Sequence, residues 1–188
     1  MFVSKEVIHS FVDYPDKEAD AVVIYFYGCE HSCKNCHNPN FQKNPEINYK
    51  SKENIKNNSN YLYIKDVIEF CKFVETITAK YKTNYLVFSG GDPLYKTNID
   101  IVRGFLTINN VKKKYKTTIY TGYNLEYVKN NNIKYFDFLK CGPYLERNKQ
   151  DSMKDDYKFV LASKNQEIYN RNFELVSKDG IMNFFVKL

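Results

Sequence analysis

Residues 21–39 read AVVIYFYGCEHSCKNCHNP and join a candidate strand to a cluster of thiols. Ala21 to Tyr27 is an unbroken run of apolar, β-branched and aromatic residues. That is the pattern of a strand buried on both faces, as in a parallel sheet. The run ends at Gly28, which permits a sharp departure from the strand. Cys29, Cys33 and Cys36 follow with the spacing C-x3-C-x2-C.

Outward from this stretch the same alternation repeats. Gln42 to Asn60 is rich in asparagine and lysine with little to bury, and reads as a polar, solvated loop. From Tyr61 to about Tyr81, Leu62, Ile64, Val67, Ile68, Cys71, Val74 and Ile77 recur at threes and fours, which predicts an amphipathic helix. Cys71 on that face is expected to be a small core hydrophobe. YLVFSGGDP then reads as a second buried strand ending in a glycine turn. A helix around Ile99 to Lys113, a strand in TTIYTGY, a short helix near Leu125 to Asn131 and a strand in YFDFLKCGPY complete the series.

Strands alternating with helices predict an α/β fold with right-handed parallel crossovers. A complete eight-fold barrel takes about 250 residues. The 188 residues here allow part of one, or a small open sheet. FELVSKDGIMNFFV offers two apolar runs around Lys178-Asp179-Gly180, which predicts a C-terminal β-hairpin.

Composition narrows the classes. With 43% hydrophobic and 27% charged residues the chain is of ordinary globular composition. No apolar run approaches the roughly 20 residues of a membrane helix. The opening MFVSKEVIHS lacks a secretory pattern, so a cytoplasmic location is expected. In that compartment clustered cysteines serve metal binding or redox chemistry more often than disulfides. The net charge of +6 comes from scattered lysines, and no nucleic-acid motif accompanies it.

Three thiols leave two metal readings. A structural Cys3His zinc site would borrow His31 or His37, but the second ligand knuckle usual for zinc is absent. A 4Fe-4S cube normally takes four thiolates, so three would leave one iron with an open position, as a catalytic site requires. An iron-sulfur electron carrier is the simplest alternative within that chemistry.

The C-x3-C-x2-C loop after the first buried strand resembles the signature of the radical S-adenosylmethionine enzymes. SGGDP, Ser89 to Pro93, resembles their Gly-Gly-Glu-Pro turn, with Asp92 in place of glutamate. FVDYPDKEADAVVIYFYGCEHSCKNCHNP is similar to the opening of the glycyl-radical activating enzymes. IYTGYNLEYV, FDFLKCGPYLE and LASKNQEIY resemble segments of the anaerobic ribonucleotide reductase activators in particular. The likeness covers roughly Ile8 to Ile168. Departures are Asn35 where an aromatic residue is common, Cys141 for an aspartate, Leu161-Ala162 for arginine-glycine, and Lys164 for a serine.

The resemblance implies one domain over residues 1–188, a partial (β/α) barrel with a mostly parallel sheet. It implies a 4Fe-4S cluster on Cys29, Cys33 and Cys36, and S-adenosylmethionine on the open iron. Asn35, Cys36, His37, Ser89, Gly90, Gly91, Asp92, Thr121 and Gly122 would bind the cofactor, with His31, Tyr120 and Tyr123 nearby. Asn38 and Pro39 would fix the exit of the cysteine loop. No catalytic side chain is implied beyond cluster and cofactor. The implied partners are the catalytic subunit of an anaerobic ribonucleoside-triphosphate reductase, docked in part through the 42–60 loop, and an electron donor such as a flavodoxin. An activator of pyruvate formate-lyase or another glycyl-radical enzyme is the near alternative.

Overall fold

The computed structural model describes residues 1–45, 60–151, 153–154 and 157–184. Most of the polar loop expected over 42–60 therefore lies outside the described residues, as do the last four. Four strands form the parallel centre of an eight-stranded sheet: β3 (Ala21–Phe26), β5 (Tyr85–Gly90), β6 (Lys116–Tyr120) and β7 (Phe138–Cys141). These are the four strands expected from the apolar runs. Between them run α1 (Val67–Tyr81), α2 (Ile99–Lys112) and α3 (Leu125–Asn130).

The flanks are antiparallel, so the sheet is mixed. On one side β1 (Phe2–Ser4) and β2 (Ile8–Ser10) share the free edge of β3, and β4 (Tyr61–Tyr63) pairs with β1. On the other, β10 (Glu167–Asn170) pairs with β7. The order β10-β7-β6-β5-β3-β1-β4 does not close on itself among the described residues, so the architecture is an open α/β sheet.

Two local predictions change. The first helix starts at Val67, because Tyr61–Tyr63 is extended against β1. Asp66 caps it by accepting the Glu69 N–H at 2.9 Å, while the Glu69 carboxylate accepts the Lys65 N–H at 2.7 Å. Ile68, which the periodicity put on the buried face, is exposed, and Phe70, Val74 and Ile77 carry the packing instead. Cys71 packs at the margin of the core, as expected.

The C-terminal turn forms, but its arms separate. Asp179 and Gly180 both have positive φ, and Lys178 and Ile181 exchange backbone hydrogen bonds of 2.8 and 2.9 Å. The incoming arm lies on the main sheet, with the Val176 N–H donating to Ile168. The outgoing β11 (Ile181–Asn183) pairs with β9 (Lys158–Val160), which also pairs with β8 (Met153–Lys154). The outgoing arm gains a ladder from β9, while the incoming arm makes an isolated bridge, Leu175 to Tyr169.

Strand alternation separates two cores. Val22, Ile24, Phe26, Leu86, Phe88, Ile119 and Leu139 meet the helices through Phe70, Val74, Phe105 and Leu106. The opposite face carries Val23, Tyr25, Val87, Tyr120 and Phe138. Tyr14 and Ala19 cover part of it, and Phe159, Leu161 and Met182 of the C-terminal segment cover the rest. Parallel strands bring their carboxyl ends to one edge, so the turns after β3, β5, β6 and β7 meet there.

Candidate iron-sulfur centre

The cysteine loop leaves β3 at Gly28, whose φ of 93° is strained for any residue with a Cβ. Its base is closed by backbone bonds. The Gly28 N–H donates to Phe41 and the Cys29 N–H to Gln42, both at 2.8 Å. Pro39 opens the 3-10 turn Pro39–Phe41 that presents those carbonyls, so it fixes the loop exit. Phe41 also stacks on Tyr25, with ring centroids 5.1 Å apart. Within the loop the Asn38 N–H donates to the Cys36 sulfur at 3.4 Å, a bond that strengthens when the sulfur is a thiolate.

All three thiols line one cavity of about 410 Å³, within the usual 300–1,000 Å³ range of small-molecule sites. His31, His37, Ser89, Gly90, Gly91, Thr121 and Gly122 line it too, so most of the residues singled out from the sequence come together. Among the described residues, no three His, Cys, Asp or Glu side chains converge as a mononuclear site requires. His31 Nε2 is already paired with Asp92 at 2.9 Å, and the His37 ring lies 5.4 Å from that of Tyr144.

The Gly-Gly-Asp turn is welded to the cysteine loop. Gly91 N–H donates to Phe26 at 2.7 Å and Asp92 N–H to Gly28 at 2.8 Å. A Cβ on Gly90 would lie 2.5 Å from the Phe26 nitrogen, and one on Gly91 would lie 2.6 Å from the Gly28 carbonyl oxygen. The glycines thus allow two backbones to touch, besides lining the cavity.

Asp92 is fully buried and does not reach the cavity wall. Its carboxylate accepts from Leu94 N–H at 2.8 Å, Gly122 N–H at 2.9 Å and the Thr121 hydroxyl at 3.0 Å, besides its pairing with His31. One side chain therefore ties together the turns after β3, β5 and β6. Opposite Asp92, the His31 ring packs against Gly122, with no room for a side chain, and edge-on to Tyr123 at 4.4 Å.

Asn35 also stands off the cavity. It sits at φ 55°, a conformation asparagine tolerates, and its side chain lies close enough to Glu146 to help hold that carboxyl ionised. The Tyr144 hydroxyl at 2.5 Å is the main influence holding the Glu146 carboxyl below its ordinary range. Asn35, Lys149 and Lys34 act in the same direction. The loop is thereby pinned to the segment after β7 through Asn35–Glu146–Tyr144, with the Tyr144 ring against His37.

Burial pushes the Cys29 thiol up to about 11, and Asp92, Cys33 and Cys36 push the same way. Without a metal or a cation, Cys29 stays protonated near neutrality. The sequence reading missed Lys140, which lines the same cavity. Its signal was present: a lysine at alternate spacing from Phe138 inside a buried strand. Tyr25, Glu146 and the Phe159–Ala162 wall were missed as well, because only tertiary packing brings them here.

Three thiols at the carboxyl edge of a parallel sheet form a soft donor set of the kind that iron-sulfur clusters take. Residues 19–169 match the family described as the 4Fe-4S single cluster domain, and the chain belongs to that family. No curated protein and no solved structure matches it. No helix among the described residues is long and apolar enough to cross a membrane.

Proposed function

We propose that this chain is a radical S-adenosylmethionine enzyme that activates an anaerobic ribonucleoside-triphosphate reductase by removing a hydrogen atom from a backbone glycine. The observation that supports it is the donor count: three thiols, not four, line a cavity large enough for a second ligand. When bound, the cluster supplies an electron and an open coordination position, and S-adenosylmethionine supplies the carbon radical that takes the hydrogen.

The chain's own residues hold, orient and shield. Cys29, Cys33 and Cys36 ligate, and the Asn38 N–H steadies the Cys36 sulfur. The strand end Ser89–Gly91 and the turn at Thr121–Gly122 offer backbone groups to a polar ligand, in positions that Asp92 fixes. Tyr25, Tyr120, Phe159 and Leu161 give the cavity an apolar wall that limits water around a reactive intermediate. The electron enters from an external donor, a flavodoxin or a protein like it, and the substrate glycine arrives on a polypeptide partner.

The test is to reconstitute the protein anaerobically, reduce it, and add S-adenosylmethionine with the reductase. About four irons per chain, formation of 5′-deoxyadenosine and a glycyl-radical resonance are expected. A cluster that yields no 5′-deoxyadenosine would make the chain an electron carrier. A radical on pyruvate formate-lyase alone would move it to that branch of activators.

A further inference from the structure

Lys140 is an unusual residue to find in this cavity. In β7 the alternation sends Leu139 and Cys141 toward the helices, while Phe138 and Lys140 take the other face. Its register partner on β6 is Tyr120, and the ammonium stands 5.3 Å from the centroid of that ring. That is its one polar partner: among the described residues no acceptor takes a hydrogen bond from it. Lys140 is half-buried in the cavity wall. An ammonium partly withdrawn from water with no acceptor carries a cost that a single cation–π contact offsets only in part.

The acidic groups around it are telling. Burial pulls the Lys140 pKa down, while Asp92, Cys141, Cys33 and Cys36 push it back up. Asp92 is committed to Leu94, Thr121, Gly122 and His31, so it does not pair with the lysine. Cys141 lies on the helix side of its strand. Cys33 and Cys36 remain, and both share the cavity with Lys140.

We propose that Lys140 is the counter-charge of the iron-sulfur centre, a positioned cation that favours its reduced state. A thiolate-ligated cube is anionic, and one added electron deepens that charge. A fixed ammonium in a partly dehydrated cavity stabilises the reduced form more than the oxidised form and so raises the potential. The inference rests on the cluster alone and not on S-adenosylmethionine.

The experiment is a redox titration of the anaerobically reconstituted full chain, followed by electron paramagnetic resonance, for wild type, Lys140→Met and Lys140→Arg. It is run without and with S-adenosylmethionine, and iron is counted in every sample. Without the cofactor, Lys140→Met should shift the midpoint negative. At the wild-type midpoint its reduced-to-oxidised ratio should fall about tenfold, equivalent to about 59 mV for one electron. Lys140→Arg should recover most of the loss. If Lys140→Met fails to load iron, Lys140→Gln is read in its place.

An unshifted midpoint in an iron-replete neutral variant overturns the proposal. So does a shift seen only with S-adenosylmethionine present, because the lysine would then be holding the cofactor. A protein that makes no 5′-deoxyadenosine but shows the shift leaves this proposal standing while the radical reading falls.

Discussion

The two faces of the four parallel strands contrast sharply although they are made of alternate residues of the same segments. The helix-covered face is apolar from end to end: Val22, Ile24, Phe26, Leu86, Phe88, Ile119 and Leu139 are all fully buried. The other face begins apolar with Val23 and Val87 and turns polar toward the carboxyl ends, at Tyr25, Ser89, Tyr120 and Lys140. One face supplies stability and the other supplies chemistry. A substitution should therefore affect folding or cluster chemistry according to whether its position is odd or even along the strand.

The largest effect on stability is expected on the helix face. Phe88 is fully buried against Phe26, Phe70 and Phe105 with centroids 5.5–5.8 Å away. Phe88→Ala should cost about 3–5 kcal/mol in chemical denaturation of the apoprotein. An apoprotein as stable as wild type would break the division of labour between the faces.

Gly91→Ala probes the seam between them. The new Cβ would meet the Phe41 and Gly28 carbonyl oxygens at 2.4 and 2.6 Å, so the cysteine loop must shift away from β5. A loss of roughly 1–3 kcal/mol is expected from overpacking. Iron bound after reconstitution should fall as well. Full iron loading with only a stability loss would show that the loop's seat on β5 does not set the thiol geometry.

How much of this was legible beforehand follows from sequence distance. Cys29, Cys33 and Cys36 are local, and Ala21–Tyr27 announces its strand by composition, so the cluster loop and the parallel centre could be read directly. Asp92 could be read as a turn residue, but not as a clasp, because His31 and Gly122 lie 61 and 30 residues from it. The strands β8 to β11 have two to four residues each, too few to show a period. Lys140 fell between these cases. Its alternation was visible, but its meaning required knowing that Tyr120 lies beside it and the thiols in front.

Cys33→Ala should separate the faces from the chemical side. Cys33 is only partly buried and accepts no hydrogen bond among the described residues. Apoprotein stability should change by about 0.5 kcal/mol or less, as at ordinary surface positions. The cluster absorbance and bound iron should nevertheless be lost. A Cys33→Ala protein that holds four irons would require another ligand and would end the three-thiol reading.

The smallest effect is expected where the loop meets the segment after β7, and it is a matter of pH. The Glu146 carboxyl titrates below its ordinary value, first because it accepts from Tyr144 and then through Asn35. For an acid whose pKa is depressed by folding, the stabilisation is complete above the unfolded value. It is lost as pH falls through the folded one. The Asn35–Glu146 tie should therefore hold throughout the neutral range and weaken only in acid, below the unperturbed carboxylate value. Solvent exposure keeps its worth small. Hydrogen exchange of the apoprotein reads this directly. Amides of the 33–38 segment should exchange faster, relative to the intrinsic rate, as the pH drops through that window. Glu146→Gln should remove the pH dependence while leaving amides of β3 and β5 unchanged. If the variant and the wild type show the same acid profile, Glu146 does not pin the loop, and Asn35 is there for its backbone conformation alone.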